Sequence, residues 1–280
     1  MRAVGAGIVD FDSYRRDRLL PKLEELRTEV ARHAGIAEVF ASDWFNDLEK
    51  LIRDHSGTEK EFQVGRTFPL YQTFLMDESE DWADNVVARL DDAYTALRDA
   101  TPKRSPLRKK LRDSALGLDA WYGAVFETVV LSRLAKAGCL VEYEPRVGRG
   151  GKSIDGLVEI DGVQIFVEAT ARLRPEPAGM GSFDPAAEAA DAFNKRVVEK
   201  AKDQLALCEA PCILFLGWRA YDDELPVFER LLETCSECTS VSVLAVAPPW
   251  CEHGSLFLNS KARYPATEGV LVEFQRCMGW

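Results

Sequence analysis

Hydrophobic and polar positions follow two different rhythms along this chain, and they divide it. From residue 14 to about 100 the apolar positions recur at three and four. Leu19, Leu23, Leu26 and Val30 predict a helix that ends on Gly35. A second amphipathic piece starts at Asp43-Trp44-Phe45 and runs to about Asp54. A third begins near Asp81 and carries Trp82, Val86, Leu90, Tyr94 and Leu97. The intervening SGTEKEFQVGRTFPLYQ is less regular. Nothing in this half clusters chemically, so it reads as a helical bundle that scaffolds or mediates contacts.

Prolines in TPKRSPLRKKLRD (101–113) interrupt the helical rhythm. After one more helix, LDAWYGAVFETVVLSRLAKA (118–137) with Gly138 as its cap, the period changes to that of strands. Residues 139–145, 153–160 and 163–173 read as strands, and Asp161-Gly162 between the last two is a two-residue hairpin signal. A Pro/Gly-rich loop (174–185) leads to a long helix over about 186–208. Then come a buried strand at 212–218, a helix at about 223–235 and a buried strand at 240–248. Short strands at 255–258 and 270–274 are expected in the tail. The order α-β-β-β-α-β-α-β predicts an α/β fold, a mixed sheet flanked by helices, preceded by an α-helical N-terminal domain. The expected domains are 1–113, acidic and helical, and 114–280.

Composition refines this. At 280 residues, 46% hydrophobic and 29% charged, the chain is ordinary for a globular protein of one or two domains. No apolar run is long enough to span a membrane and the N-terminus lacks a signal-peptide pattern, so a cytoplasmic protein is expected. Seven cysteines, an odd number set mostly in apolar segments, suit reduced and buried thiols. The net charge of −11 argues against bulk affinity for nucleic acid, yet it is uneven. Residues 1–100 hold 13 basic and 21 acidic side chains, a net of −8, which leaves only −3 for the other 180. Between the two halves lie Lys103, Arg104, Arg108, Lys109, Lys110 and Arg112. They suit either a phosphate-contacting arm or a solvated, basic helix start.

The chemistry centres on SIDGLVEIDGVQIFVEAT (153–170). Alternation puts Gln164, Phe166, Glu168 and Thr170 on one face of their strand. A turn at 161–162 pairs positions whose numbers sum to about 323, which sets Glu168 opposite Asp155. Two adjacent carboxylates repel unless a cation or a proton lies between them. A divalent ion held by oxygen ligands, Mg²⁺ first and Mn²⁺ second, answers that need. Glu127, off the centre of its helix's apolar face, either reaches the sheet or stays solvated.

These elements together resemble the PD-(D/E)XK, or restriction-endonuclease-like, nuclease superfamily over roughly residues 115–275. The features are a helix with Phe126-Glu127 leading to Leu131, a strand after a Gly-rich bend running into Asp155, and a strand ending Glu168-Ala169-Thr170. The resemblance implies a metal-dependent phosphodiesterase acting on DNA. In it Asp155, Glu168 and the Ala169 carbonyl ligate the metal, and Glu127 supports the metal or its water. The sequence departs from the pattern twice. Ile154 stands where a proline precedes the aspartate, and Thr170 stands where a lysine would orient the attacking water.

A replacement cation is sought on the helix 186–208. Phe193, Val197, Ala201 and Cys208 form its inner stripe, with Lys200 and Gln204 on the stripe's edge; Lys195, Glu199 and Lys202 face away. Lys200 and Gln204 match, in type and spacing, the relocated lysine or glutamine that some branches of the superfamily use. Otherwise Lys200 snorkels to water and Gln204 caps a backbone group. Arg146, Arg149 and Lys152 form a basic loop just before Asp155, placed to contact phosphates. Cys235, Cys238, Cys251 and His253 have ligand types for structural Zn²⁺, but a core-like strand between the two pairs disfavours it. The alternative to a nuclease is a catalytically inactive nuclease fold used for nucleic-acid or protein binding. A homodimer stays open.

Overall fold

A computed structural model describes residues 11–55, 70–71, 80–113, 118–148, 151–171, 195, 198–217, 233–234, 237–248 and 250–280. Its contacts divide the chain into two compact units. One is Met1–Thr95 with Ser105–Trp121, and the other is Ala96–Arg104 with Tyr122–Trp280.

The first unit is helical. Helix α1 (Phe11–Tyr14) passes through a π-turn at Arg15–Leu19 into α2 (Leu20–Ala31), followed by α3 (Ala34–Val39) and α4 (Ser42–Asp54). The three-and-four spacing does what it predicts: Leu19, Leu23, Leu26 and Val30 are fully buried, as are Leu48 and Ile52 of α4. Gly35 does not end the first helix. His33 takes an extended conformation and Gly35 lies inside α3, where a Cβ would sit 2.4 Å from Thr95 Oγ1. The missing side chain lets Asp91 reach in and accept the Ile36 N–H at 2.8 Å. Asp91 lies on α5 (Glu80–Ala100). Residues 104–113, read as a break, form α6 (Arg104–Asp113), because Leu107 and Leu111 supply a buried edge and Pro106 is tolerated in a first turn.

Helix α7 (Leu118–Lys136), which belongs to the second unit from Tyr122 onward, precedes the sheet. The strands are β1 (Leu140–Tyr143), β2 (Arg146–Val147), β3 (Lys152–Ser153), β4 (Gly156–Ile160), β5 (Val163–Ala171), β6 (Cys212–Gly217), β7 (Val243–Ala247) and β8 (Ser255–Leu258). Six of them make one mixed sheet in the order β1-β4-β5-β6-β7-β8, and β2-β3 form a separate ribbon. β5, β6 and β7 run parallel; β1-β4, β4-β5 and β7-β8 are antiparallel. Asp161 and Gly162 take φ of 52° and 74°, as a type I′ hairpin turn requires. The hairpin register pairs Gly156 with Val167 and Ile160 with Val163, the register expected from the turn.

Helices cover both faces of the sheet. On one, Phe126 of α7 lies against Gly217 and Leu131 against Gly156. Phe274 of the C-terminal helix α8 (Glu268–Met278) packs near Phe215, ring centroids 5.6 Å apart. On the other, Ala201, Leu205 and Cys208 join Leu214, Leu216, Leu244 and Val246 in a buried cluster.

Two expected elements change. Residues 270–274 are helical, not a strand. Thr267 caps α8 by accepting the Val270 N–H, and Val270, Phe274 and Met278 are buried one turn apart; the stretch VLVEF happens to satisfy both periods locally. The helix expected to reach 208 is helical at 198–203 and then tightens into a 3-10 turn at Leu205–Leu207, which leaves Cys208 extended. The loop 174–185, residues 186–194 and nearly all of 223–235 lie outside the described residues.

Gly217 lets α7 approach the sheet, since a Cβ there would lie 2.5 Å from the Ala171 Cβ and 3.0 Å from Phe126. Gly217→Ala is therefore expected to destabilise the protein by about 1–3 kcal/mol, measured by urea denaturation. Wild-type stability in the variant would contradict this packing.

Candidate functional site

Glu168 sits in β5, which is hydrogen-bonded on both sides, and it has 0% exposure. Such a carboxylate is several kcal/mol unfavourable unless its charge is balanced and its oxygens bonded. Both conditions are met. The Lys200 ammonium forms an ion pair with Oε1, and the Asp155 N–H donates to Oε2 at 3.3 Å. Asp155, itself 8% exposed, accepts the Ala169 N–H on Oδ2 at 2.8 Å. The Asp155 and Glu168 side chains thus each bond the other's strand, as the hairpin register requires.

Lys200 gets there because the helical residues 198–203 lie over the face of β5 that carries Phe166, Glu168 and Thr170. Ala201 is buried beneath them, while Lys195, Glu199 and Lys202 are exposed, the division that helical periodicity predicts. Gln204 has left the helix. Its amide donates to the Ser153 carbonyl at 3.3 Å, and Lys152 donates to the Asp203 carbonyl at 3.1 Å. These two bonds fasten the end of the helix to the β2-β3 ribbon, two residues before Asp155. Gln204 therefore bonds backbone and positions the segment that carries Asp155.

Glu127 is buried, not solvated, at 5% exposure. It approaches from the other side of the sheet. Gly156 faces Leu131 of α7, and Tyr143 and Val167 pair with Gly156, so these three share the α7 face, opposite to Glu168. There Glu127 Oε1 accepts a bond from the Tyr143 hydroxyl at 3.4 Å. Burial, then the charges of Glu127, Glu144 and Asp155, hold the Tyr143 hydroxyl well above its ordinary range, so it stays a donor. Sequence reasoning missed Tyr143. A register shift between Leu140 and Glu142 turns Tyr143 inward with Leu140 and leaves Val141 exposed, which strict alternation does not foresee.

The basic candidates scatter. Lys103 directs its ammonium to Glu142 Oε1 and to the Tyr143 and Glu144 carbonyls at 2.8–3.1 Å, so its three donors bind the end of β1. Arg108 and Lys109 are exposed and Lys110 half-buried on α6; Arg146 and Lys152 are exposed on the ribbon. Arg112 pairs with Asp43, whose carboxyl it holds below the usual range. The Arg104 side chain and Arg149 lie outside the described residues.

Among the described residues no group of three or more His, Cys, Asp or Glu side chains could hold a metal. Cys238 is half-buried, Cys251 buried and His253 exposed, and Cys235 lies outside the described residues. For Mg²⁺ the donor set at Asp155 and Glu168 still fits. Mg²⁺ takes one or two carboxylates and completes its shell with water and substrate phosphate. The fit rests on two buried carboxylates, an adjacent main-chain carbonyl at Ala169 and oxygen donors throughout. No helix among the described residues is long and apolar enough to cross a membrane.

No protein-family model matches the chain, and no curated protein matches it. Among solved structures it is similar to SfsA of Pyrococcus furiosus, in complex with Ca²⁺, at 18% identity and a TM-score of 0.21. That likeness covers 48% of this chain and 59% of the other, less than two thirds of its length, and at this TM-score it carries no weight for function.

Burial and then the Asp155 charge raise the Glu168 carboxyl to about 7, against the opposing pull of Lys200. Unfolded, it ionises near its ordinary 4.5. Between those values the folded protein binds more protons than the unfolded one, so stability falls as pH rises through the window, by at most ~1.4 kcal/mol per pH unit. Denaturation midpoints from pH 4.5 to 7.5 should show this slope in wild type and lose it in Glu168→Gln. An equal slope in both would assign the effect elsewhere.

Proposed function

We propose that the chain is a metal-dependent nuclease of the restriction-endonuclease-like kind, hydrolysing DNA phosphodiester bonds at Asp155, Glu168 and Lys200. The observation that carries this reading is the ion pair between Lys200 and Glu168. It brings a cation from a neighbouring segment to the face of β5 where Thr170 takes the place of the pattern's lysine.

In this reading Asp155, Glu168 and the Ala169 carbonyl hold Mg²⁺ or Mn²⁺, which when bound supplies Lewis acidity toward the scissile phosphate and its attacking water. The chain's own residues do the rest. Asp155 is fixed by the Ala169 N–H, so its carboxylate keeps one orientation. Lys200 has three N–H donors, and among the described residues one goes to Glu168. The others suit a water or a phosphate oxygen, where a fixed positive charge favours the build-up of negative charge in the transition state. Gln204 and Lys152 hold the ribbon and thereby the approach to Asp155. Exposed Arg146 on the ribbon is suited to backbone phosphates.

A second reading has its own support. Glu168 has a partner on each oxygen and Asp155 accepts a main-chain N–H, so the cluster is also satisfied without a metal. An inactive fold used for binding would keep the cluster as an internal pin.

Cleavage of supercoiled and linear DNA with Mg²⁺ or Mn²⁺ separates the two. The nuclease reading expects metal-dependent cutting, abolished in Asp155→Asn and Glu168→Gln, and reduced about 100-fold or more in Lys200→Met. Adding Thr170→Lys to Lys200→Met should restore part of the rate, since position 170 lies on the face of β5 that carries Glu168. No cutting by wild type, or cutting that persists in Glu168→Gln, sinks the enzyme reading.

A further inference from the structure

Outside the Asp155–Glu168 site, one pair of groups has a chemistry that plays no part in it. Cys139 and Cys277 place their sulfurs 2.9 Å apart, and both side chains are partly exposed. They are 138 positions apart in the sequence. Two thiols that meet by chance on a surface would rest on mobile side chains and backbones. These two rest on hydrogen-bonded backbone.

Each cysteine belongs to the closing turn of a helix, and the two turns are built alike. After α7, Gly138 takes φ of 75°, its N–H bonds the Ala135 carbonyl at 2.9 Å, and the Cys139 N–H bonds the Leu134 carbonyl at 2.9 Å. After α8, Gly279 takes φ of 73°, its N–H bonds the Arg276 carbonyl at 3.1 Å, and the Trp280 N–H bonds the Gln275 carbonyl at 2.9 Å. Both are Schellman closures, which fix the backbone around each cysteine. Further bonds hold the two ends. The Glu159 N–H bonds the Cys139 carbonyl, Arg133 of α7 donates to the Met278 carbonyl at 2.6 Å, and Trp280 Nε1 donates to the Cys251 carbonyl. The other described cysteines are less suited: Cys208, Cys212 and Cys251 are buried and out of reach of an oxidant, and partly exposed Cys238 has Glu237 and Lys202, not a second thiol, as its charged neighbours.

We propose that Cys139 and Cys277 form a thiol–disulfide exchange site, at which a low-molecular-weight disulfide reversibly links the start of β1 to the last turn of α8. One cysteine thiolate attacks a sulfur of the small disulfide and releases one small thiolate, leaving a mixed disulfide on the protein. The second cysteine thiolate then attacks the protein sulfur and releases the other small thiolate. Two protein thiols are oxidised, one small disulfide is reduced to two thiols, and two protons go to those products. A sulfur separation of 2.9 Å must close to ~2.0 Å, a shift that side-chain rotation can supply. The bridge closes a long loop that runs from the start of β1 into the last turn of α8, so it restricts the unfolded chain strongly. The proposal is independent of the nuclease reading.

The test uses the full chain treated with oxidised glutathione, then with excess dithiothreitol. Free thiols are counted, and disulfides are mapped by non-reducing peptide mass spectrometry. The expected result is a fall from seven thiols to five, one Cys139–Cys277 peptide, full recovery on reduction, and a melting midpoint about 5–10 °C higher in the oxidised form. Cys277→Ser should take up glutathione at Cys139 without bridging. The mapping on wild type decides the matter even if a variant folds poorly. All seven thiols remaining, glutathione adducts without a bridge in wild type, or a bridge between other cysteines would overturn the proposal.

Discussion

A carboxylate with no solvent exposure, in a strand bonded on both edges, is the constraint around which the second unit is organised. Glu168 sits beside another buried acid, Asp155, and burial, then repulsion between the two, raises its proton affinity. Water cannot screen the pair. The protein balances it with a cation from Lys200 and with two main-chain N–H donors, one from Asp155 and one from Ala169. Each donor fixes a piece of architecture. The N–H bonds need the hairpin register to hold at its far end, beyond the last ladder pair. The cation needs the helical residues 198–203 to lie over β5 and to end soon after Lys200. The bonds from Gln204 and Lys152 tie that end to the ribbon before Asp155. A cluster so balanced is stable as it stands, and it is also what a divalent ion and a phosphate would meet.

Much of this was legible in the residues, for local reasons. Asp161-Gly162 admits few turn geometries, and a two-residue turn dictates its register, so the meeting of Asp155 and Glu168 followed from counting. Lys200 was visible because a lysine beside a buried stripe is unusual, and the period of a helix says which way it points. The misses came where local pattern is degenerate or where tertiary contact overrides it. VLVEF satisfies helix and strand alike, and the cap at Thr267 decides between them. A shift of register in β1 turns Tyr143 inward, so its bond to Glu127 could not be counted in advance. Glu127 was read as off-centre on an amphipathic helix; α7 is buried along residues 124–132, so no solvated side exists there for it. The basic residues of 103–112 looked like one group, yet Lys103 is engaged at the end of β1 while Arg112 pairs with Asp43.

The two sides of the sheet therefore hold different polar pairs. On one, Lys200 and the two acids gather charge near a helix end. On the other, Tyr143 gives Glu127 a neutral donor, and the Tyr143 hydroxyl keeps its proton because of its burial and then the charges of Glu127, Glu144 and Asp155. Glu168 has its countercharge from Lys200, and the functional reading of this side depends on a metal entering that balance.

The direct measurement is Mn²⁺ binding by isothermal titration calorimetry, without nucleic acid, on wild type, Asp155→Asn, Glu168→Gln and Lys200→Met. The account predicts saturable binding to wild type that is lost in both acid variants and kept in Lys200→Met, where removing a competing cation leaves the carboxylates free. Binding that is absent from wild type, or unchanged in Asp155→Asn and Glu168→Gln, would contradict it.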